Sequence, residues 1–170
     1  MNRFREMLSG ASRGAFVPFF MLGDPSPENS LRLIRAALAA GADGLELGIP
    51  FSDPIADGPV IQAAAIRAAA AGATVERCFE MLAAIRSETD KPVGLLVYYN
   101  LVRRRGCAEF CRDCAAAGVD AVLAADLPYG EDDRLSRALL DCGVGSVYLV
   151  SQNTPDDRAA EIMKASTAFT

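Results

Sequence analysis

The chain has no histidine among its 170 residues and only two lysines, Lys91 and Lys164. Without histidine, the mixed zinc ligand sets, the Ser-His-Asp triad and the commonest general base are all excluded. Acid–base chemistry therefore falls to carboxylates, tyrosines or the two lysines. Strong positive charge is also lacking: the formal net charge is -5 and the one dense basic run is Arg103-Arg104-Arg105. Nucleic acid is not an expected partner, and the arginine run reads as a solvated stretch approaching a helix, not as a phosphate patch. No apolar run reaches the roughly 18 to 20 residues of a membrane span, and MNRFREMLSG lacks the apolar core of a signal peptide, so no membrane partner and a cytoplasmic location are expected. Five cysteines, an odd number without a secretory signal, suggest reduced thiols.

What is present is alternation. Apolar runs of strand length, at Ala15 to Leu22, Gly44 to Ile49, Val93 to Tyr99, Ala121 to Leu127 and Ser146 to Val150, are separated by alanine-rich segments of helical period, with a sixth run beginning at Ala168. Phe4, Met7 and Leu8 add a short amphipathic helix in front. This is the pattern of repeated βα units with parallel strands covered on both faces. Ser26-Pro27, Thr74 and Thr154-Pro155 mark helix starts. Gly41, Gly118 and Gly143 each sit where a helix must end before a strand. No linker or composition break divides the chain.

Such units fit an open doubly wound sheet or a (β/α)8 barrel. No G-x-G-x-x-G follows the first strand, which counts against a dinucleotide fold. The expected fold class is therefore α/β, of the (β/α)8-barrel family. A barrel normally takes about 250 residues, so residues 1–170 are expected to form a single barrel domain, incomplete at its C-terminus, with five βα units and the start of a sixth strand.

Within LELGIPFSDPIADG, residues 45–58, strand alternation puts Leu45, Leu47 and Ile49 on one face and Gly44, Glu46 and Gly48 on the other. In a barrel Glu46 points inward, between glycines that leave room for something to approach. An inward carboxylate either has a polar partner or carries a raised pKa, so Glu46 is a structural acid or a catalytic one. Asp53 precedes Pro54 and reads as a turn residue; Asp57, before Gly58-Pro59, either organises the next helix or belongs to a site. Cys107, Cys111 and Cys114 have a spacing that resembles the cluster motif of radical SAM enzymes. On a helix, however, they share an apolar face with Phe110, and small buried hydrophobes are the better reading. Lys91 precedes a strand and Lys164 ends a helix, so neither is placed for Schiff-base chemistry.

The fourteen-residue stretch resembles the signature of the tryptophan synthase α chain family. FVPFFMLGDP at Phe16 to Pro25, GLLVYYN at Gly94 to Asn100 and VLAADLP at Val122 to Pro128 follow in that family's order, so the resemblance spans the whole chain. It implies a lyase of tryptophan biosynthesis that cleaves indole-3-glycerol phosphate to indole and glyceraldehyde 3-phosphate by a retro-aldol reaction. No cofactor is implied in this chain; pyridoxal phosphate is implied in a partner β chain, within an α2β2 heterotetramer. By the same resemblance Glu46 would protonate the indole ring at C3, and Asp57 would bind the indole N–H and stabilise the developing positive charge. Phe19, Leu96, Tyr98, Leu123, Ala125 and Leu149 would line the indole pocket. Pro50, Asp53, Asn100, Asp126 and Pro128 would face the β chain. Met21 stands where many relatives have threonine, and Ser151-Gln152 replaces a small residue and proline. The family's pocket tyrosine, mobile loop and phosphate ligands would lie beyond Thr170. Two other readings remain open: an impaired form that retains only a β-chain-binding surface, and a different sugar-phosphate-binding barrel.

Overall fold

The computed structural model describes residues 2–170. Five parallel strands, β1 (Phe19–Met21), β2 (Leu45–Gly48), β3 (Val93–Val97), β4 (Ala121–Ala124) and β5 (Gly145–Ser146), lie side by side in chain order. Helix α1 (Arg3–Gly10) precedes them. Between the strands run α2 (Pro27–Ala39), then α3 (Pro59–Ala70) with α4 (Val75–Glu88), then α5 (Tyr99–Arg105) with α6 (Cys107–Ala116), and α7 (Asp133–Asp141); α8 (Asp156–Ala165) follows β5. The α/β architecture of five βα units is as the sequence predicts.

The helix starts divide by what occupies their capping groups. Ser26 and Thr74 accept the amide hydrogens of Asn29 and Arg77, and Pro59 opens α3 behind Gly58. Thr154 does not cap α8 as expected. Its Oγ1 instead accepts the Ser151 N–H at 3.0 Å in a tight turn, and α8 begins one residue later behind Pro155, with no side-chain cap. Gly41, Gly118 and Gly143 all take positive φ (97°, 74° and 71°). At Gly118 a Cβ would also lie 2.5 Å from Arg86 Cγ.

Three further expectations are corrected. Strand β3 ends at Val97, and Tyr99 already belongs to α5, so the apolar run overestimates the strand. No sixth strand forms among the described residues: Thr167 and Ala168 donate their amides to the single carbonyl of Ser146, at 3.0 and 3.2 Å, and no ladder develops. Arg103 to Arg105 are not a loop. They form the last turn of α5, where cations complement the helix C-terminus, and Arg105 is held by Glu76 and Asp113.

The sheet's outer face, Leu45, Leu47, Val93, Leu95, Val97 and Val122, packs against Ile34, Leu82, Ile85, Phe110 and Leu139 of the helices. Cys111 and Cys114 lie fully buried in this layer. Burial pushes the Cys111 thiol up to about 12, so it behaves as a small hydrophobe. Among the described residues no helix is long and apolar enough to cross a membrane.

One end of the strands is closed by α1. Phe4 is buried against Ala121, Val147 and Ala168, and its ring lies 4.8 Å from that of Phe169. Asp120 organises the same end: its carboxylate accepts from Arg3 (2.8 Å), from Arg86 (2.7 Å) and from the Val93 amide (2.8 Å). Burial lowers the pKa of Arg86, with Asp120 opposing the effect, so Arg86 depends on that partner. Asp120→Ala should destabilise the chain by about 3 kcal/mol, the usual loss when one member of a buried pair is removed. Urea denaturation of both proteins measures it, and an unchanged midpoint would show the pair to be dispensable.

Candidate active site

Ladder register decides which side chains share a level. Phe19 pairs with Glu46, Glu46 with Gly94, Gly94 with Ala121 and Ala121 with Gly145, so one inner-facing layer crosses the sheet. The next layer toward the strand C-termini is Met21, Gly48, Leu96 and Leu123. On β2 the neighbours Leu45 and Leu47 are fully buried on the helix side, and Glu46 is half-buried on the inner side.

The flanking glycines do not leave open room beside Glu46, contrary to the sequence reading. A Cβ at Gly48 would lie 2.7 Å from Phe19 Cζ and 3.3 Å from Met21 Cε, and one at Gly44 would lie 3.0 Å from Pro92 Cγ. Side chains of neighbouring strands and loops already fill those positions. The glycine beside the carboxylate's stem is Gly94 on β3: a Cβ there would stand at an ordinary contact distance of 3.6 Å from Glu46 Cγ, and its tight approach, 3.3 Å, would be to Phe4 Cζ. Register reveals it, whereas spacing within β2 cannot. Loss of water raises the Glu46 pKa, and no other group among the described residues contributes to the shift.

Asp57 lies in the loop that follows β2. That loop is braced by Ile55 N–H to Asp53 O (2.8 Å) and Asp57 N–H to Pro54 O (3.1 Å). Its main tie to the sheet is Tyr98, just past β3. The Tyr98 hydroxyl donates to Asp57 Oδ2 and accepts from the Ala56 amide, both at 3.0 Å, and its ring stacks on Phe51 at 5.0 Å. Burial raises the Tyr98 pKa, which keeps the hydroxyl a donor.

Other residues singled out in the sequence divide between two places. Phe19 packs beside Met21 and the small side chains Ala64, Ala65 and Ala68 of α3, and Met21 is itself buried there. Leu123, Ala125, Pro128 and Leu149 line a cavity of about 400 Å³ with Tyr148 and Arg158. Neither Glu46 nor Asp57 lines that cavity, and Leu149 is 64% exposed. Pro50, Asp53, Asn100 and Asp126 all follow the C-terminal ends of strands. Asp53 and Asn100 are exposed, and the Asp53 carboxylate accepts from Ser52. Asp126 accepts the Tyr99 amide at 2.6 Å. Sequence reasoning missed Tyr99, whose hydroxyl donates to Asp132 at 2.6 Å. The side-by-side tyrosines at a strand end were the available signal. Ser151 belongs to the Thr154 turn. Among the described residues no group of three or more His, Cys, Asp or Glu side chains is disposed to hold a metal, Cys107, Cys111 and Cys114 included.

Comparison with known proteins decides the family. The model of the tryptophan synthase alpha chain family matches residues 6–170. The chain belongs to the tryptophan synthase α chain family. It is 49% identical over its whole length to the tryptophan synthase alpha chain of Cronobacter sakazakii and covers 65% of that relative. Among solved structures, tryptophan synthase subunit alpha from Legionella pneumophila superposes with a TM-score of 0.93 at 35% identity, over 99% of this chain and 66% of that one. A chain from a structure of the tryptophan synthase a2b2 complex of Pyrococcus furiosus superposes with a TM-score of 0.85 at 35% identity, over 90% and 65% of the two chains. The five βα units are thus those of the family's (β/α) barrel, and the chain spans about two thirds of the length of its relatives.

Two outcomes test the geometry. A carboxyl group whose folded pKa exceeds its unfolded value holds more protons in the folded state, so it costs stability as pH rises above the ordinary value of 4.5. Glu46→Gln should accordingly be more stable than the parent near pH 7, with the advantage shrinking to nothing below about pH 4; denaturant midpoints across this range check the trend. Tyr98→Phe should release the Ala56 amide, raising its hydrogen exchange roughly tenfold while core amides hold. Unchanged Ala56 protection would show that the loop does not rest on this hydroxyl.

Proposed function

We propose that the chain performs the retro-aldol cleavage of indole-3-glycerol phosphate to indole and D-glyceraldehyde 3-phosphate, with Glu46 and Asp57 as the working pair. The observation that carries this reading is Glu46 itself: a half-buried carboxylate on the inner face of a parallel sheet, with its pKa raised by desolvation alone. Carbon protonation near neutral pH needs an acid that keeps its proton longer than an ordinary carboxyl group, and removal from water supplies one.

In the proposed step Glu46 delivers its proton to indole C3, leaving positive charge on the ring nitrogen. Asp57, steadied by Tyr98, accepts the indole N–H and stabilises that charge. The side-chain hydroxyl next to C3 then loses its proton and becomes the aldehyde carbonyl as the C–C bond breaks. The bonding pair returns to the ring as neutral indole, and the Glu46 carboxylate is the base available to the hydroxyl proton. Phe19, Leu96, Tyr98, Leu123, Ala125 and Leu149 are proposed to surround the indole ring.

We further propose that residues 1–170 belong to a single (β/α) barrel domain, of which they form an incomplete part, that the enzyme is cytoplasmic like the biosynthesis it serves, and that Pro50, Asp53, Asn100, Asp126 and Pro128 face a β chain in an α2β2 assembly. The α2β2 complex of the Pyrococcus furiosus relative supports this partner. Pyridoxal phosphate would belong to that β chain. Family membership speaks against a different sugar-phosphate substrate.

The test is indole release from indole-3-glycerol phosphate by the full-length chain with a β chain present. Glu46→Gln should lower turnover by at least about a hundredfold, the usual contribution of a positioned general acid, with its far-ultraviolet circular dichroism unchanged. Near-parental turnover would remove Glu46 from the mechanism.

A further inference from the structure

Tyr98 and Tyr99 are adjacent, and they face opposite neighbours. Tyr98 reaches back to the loop after β2, through Asp57 and the Ala56 amide. Tyr99 reaches forward to the loop after β4, through its amide to Asp126 (2.6 Å) and its hydroxyl to Asp132 (2.6 Å). Three consecutive strand-to-helix connections are therefore tied through one dipeptide.

This arrangement arises from the start of α5. The first amide hydrogens of a helix have no partner within it, and Tyr98, the residue before α5, supplies no side-chain cap. Asp126, 27 residues further on, takes the amide of the first helical residue. It thereby fixes the backbone from which the Tyr98 side chain departs, while the Tyr98 carbonyl accepts from Leu101 at 3.0 Å. Asp132 steadies the Tyr99 ring and also caps α7 through the Arg134 amide.

We infer that Asp126 is a positioning residue for Asp57: it anchors the Tyr99 amide, which sets Tyr98, which holds the Asp57 carboxylate. This rests on the proposed role of Asp57 in the cleavage and adds a residue that acts on the site from the β4 end. A charge facing a partner chain would need Asp126 to be anionic. A positioning residue needs only an acceptor oxygen, and asparagine retains one.

The experiment compares Asp126→Ala and Asp126→Asn in the full-length chain, reading Ala56 and Tyr99 amide exchange, indole release by the free chain, and affinity for a β chain. Asp126→Ala should speed Ala56 exchange roughly tenfold and lower kcat by a similar factor, with KM changed less. Asp126→Asn should restore both readings to within about twofold. Unchanged Ala56 exchange in the alanine variant, or asparagine failing to rescue while only β-chain affinity falls, would overturn the inference. Faster Ala56 exchange with parental turnover would uphold the linkage and overturn the role given to Asp57 instead, which keeps the two failures distinguishable.

Discussion

The parallel ladder from β1 to β5 is the constraint on which the rest of this structure depends. Its evenly spaced hydrogen bonds place one residue of each strand at a common height, so Phe19, Glu46, Gly94, Ala121 and Gly145 form a single layer. A slip of one residue in β2 would turn Glu46 into the helix-facing core and bring Leu45 and Leu47 inward. Both would be costly, because the outer face is a dry layer of aliphatic side chains and the inner face is the side on which the Glu46 carboxylate stays only half-buried. Hydrophobic burial on one face and a carboxylate kept out of that layer on the other thus set the same register.

The two acids proposed to work together are held in place by different means. Glu46 sits on a strand, where the ladder leaves its backbone little freedom, and the loss of water raises its pKa. Asp57 sits in a loop, where position must come from contacts: turn hydrogen bonds within the loop and the Tyr98 hydroxyl across it. Under the proposed mechanism a rigid element holds the group that must be dry, and a braced loop holds the group that must reach substrate. The opposite end of the strands, with Phe4 and the Asp120 ion pairs, supplies stability. The division fits the habit of such barrels to keep chemistry at strand C-termini.

Particular residues show how much of this was legible beforehand. The order of strands and helices, the caps at Ser26 and Thr74 and the helix-ending glycines are local patterns and appear as the chain predicts, whereas β5 ends at Ser146, short of the apolar run to Val150. The buried cysteines of α6 follow from helical spacing. Thr154 misled because a hydroxyl has competing local partners, and the turn to Ser151 captured it. Tyr99 was read as strand because an aromatic run does not announce where a helix begins. Gly44 and Gly48 were read as open space, although whether a glycine makes room depends on what the neighbouring strands put beside it.

Sequence by itself determined the α/β class, the inward direction of Glu46 and the resemblance that the family match bears out, because periodicity and contiguous motifs are properties of the chain alone. Tertiary structure decided that Gly94 stands beside Glu46, that Tyr98 holds Asp57 and that Asp126 takes the Tyr99 amide. Each joins residues 27 to 48 positions apart. Such contacts arise only when the ladder brings successive strands together, and no local pattern encodes which side chains will then meet.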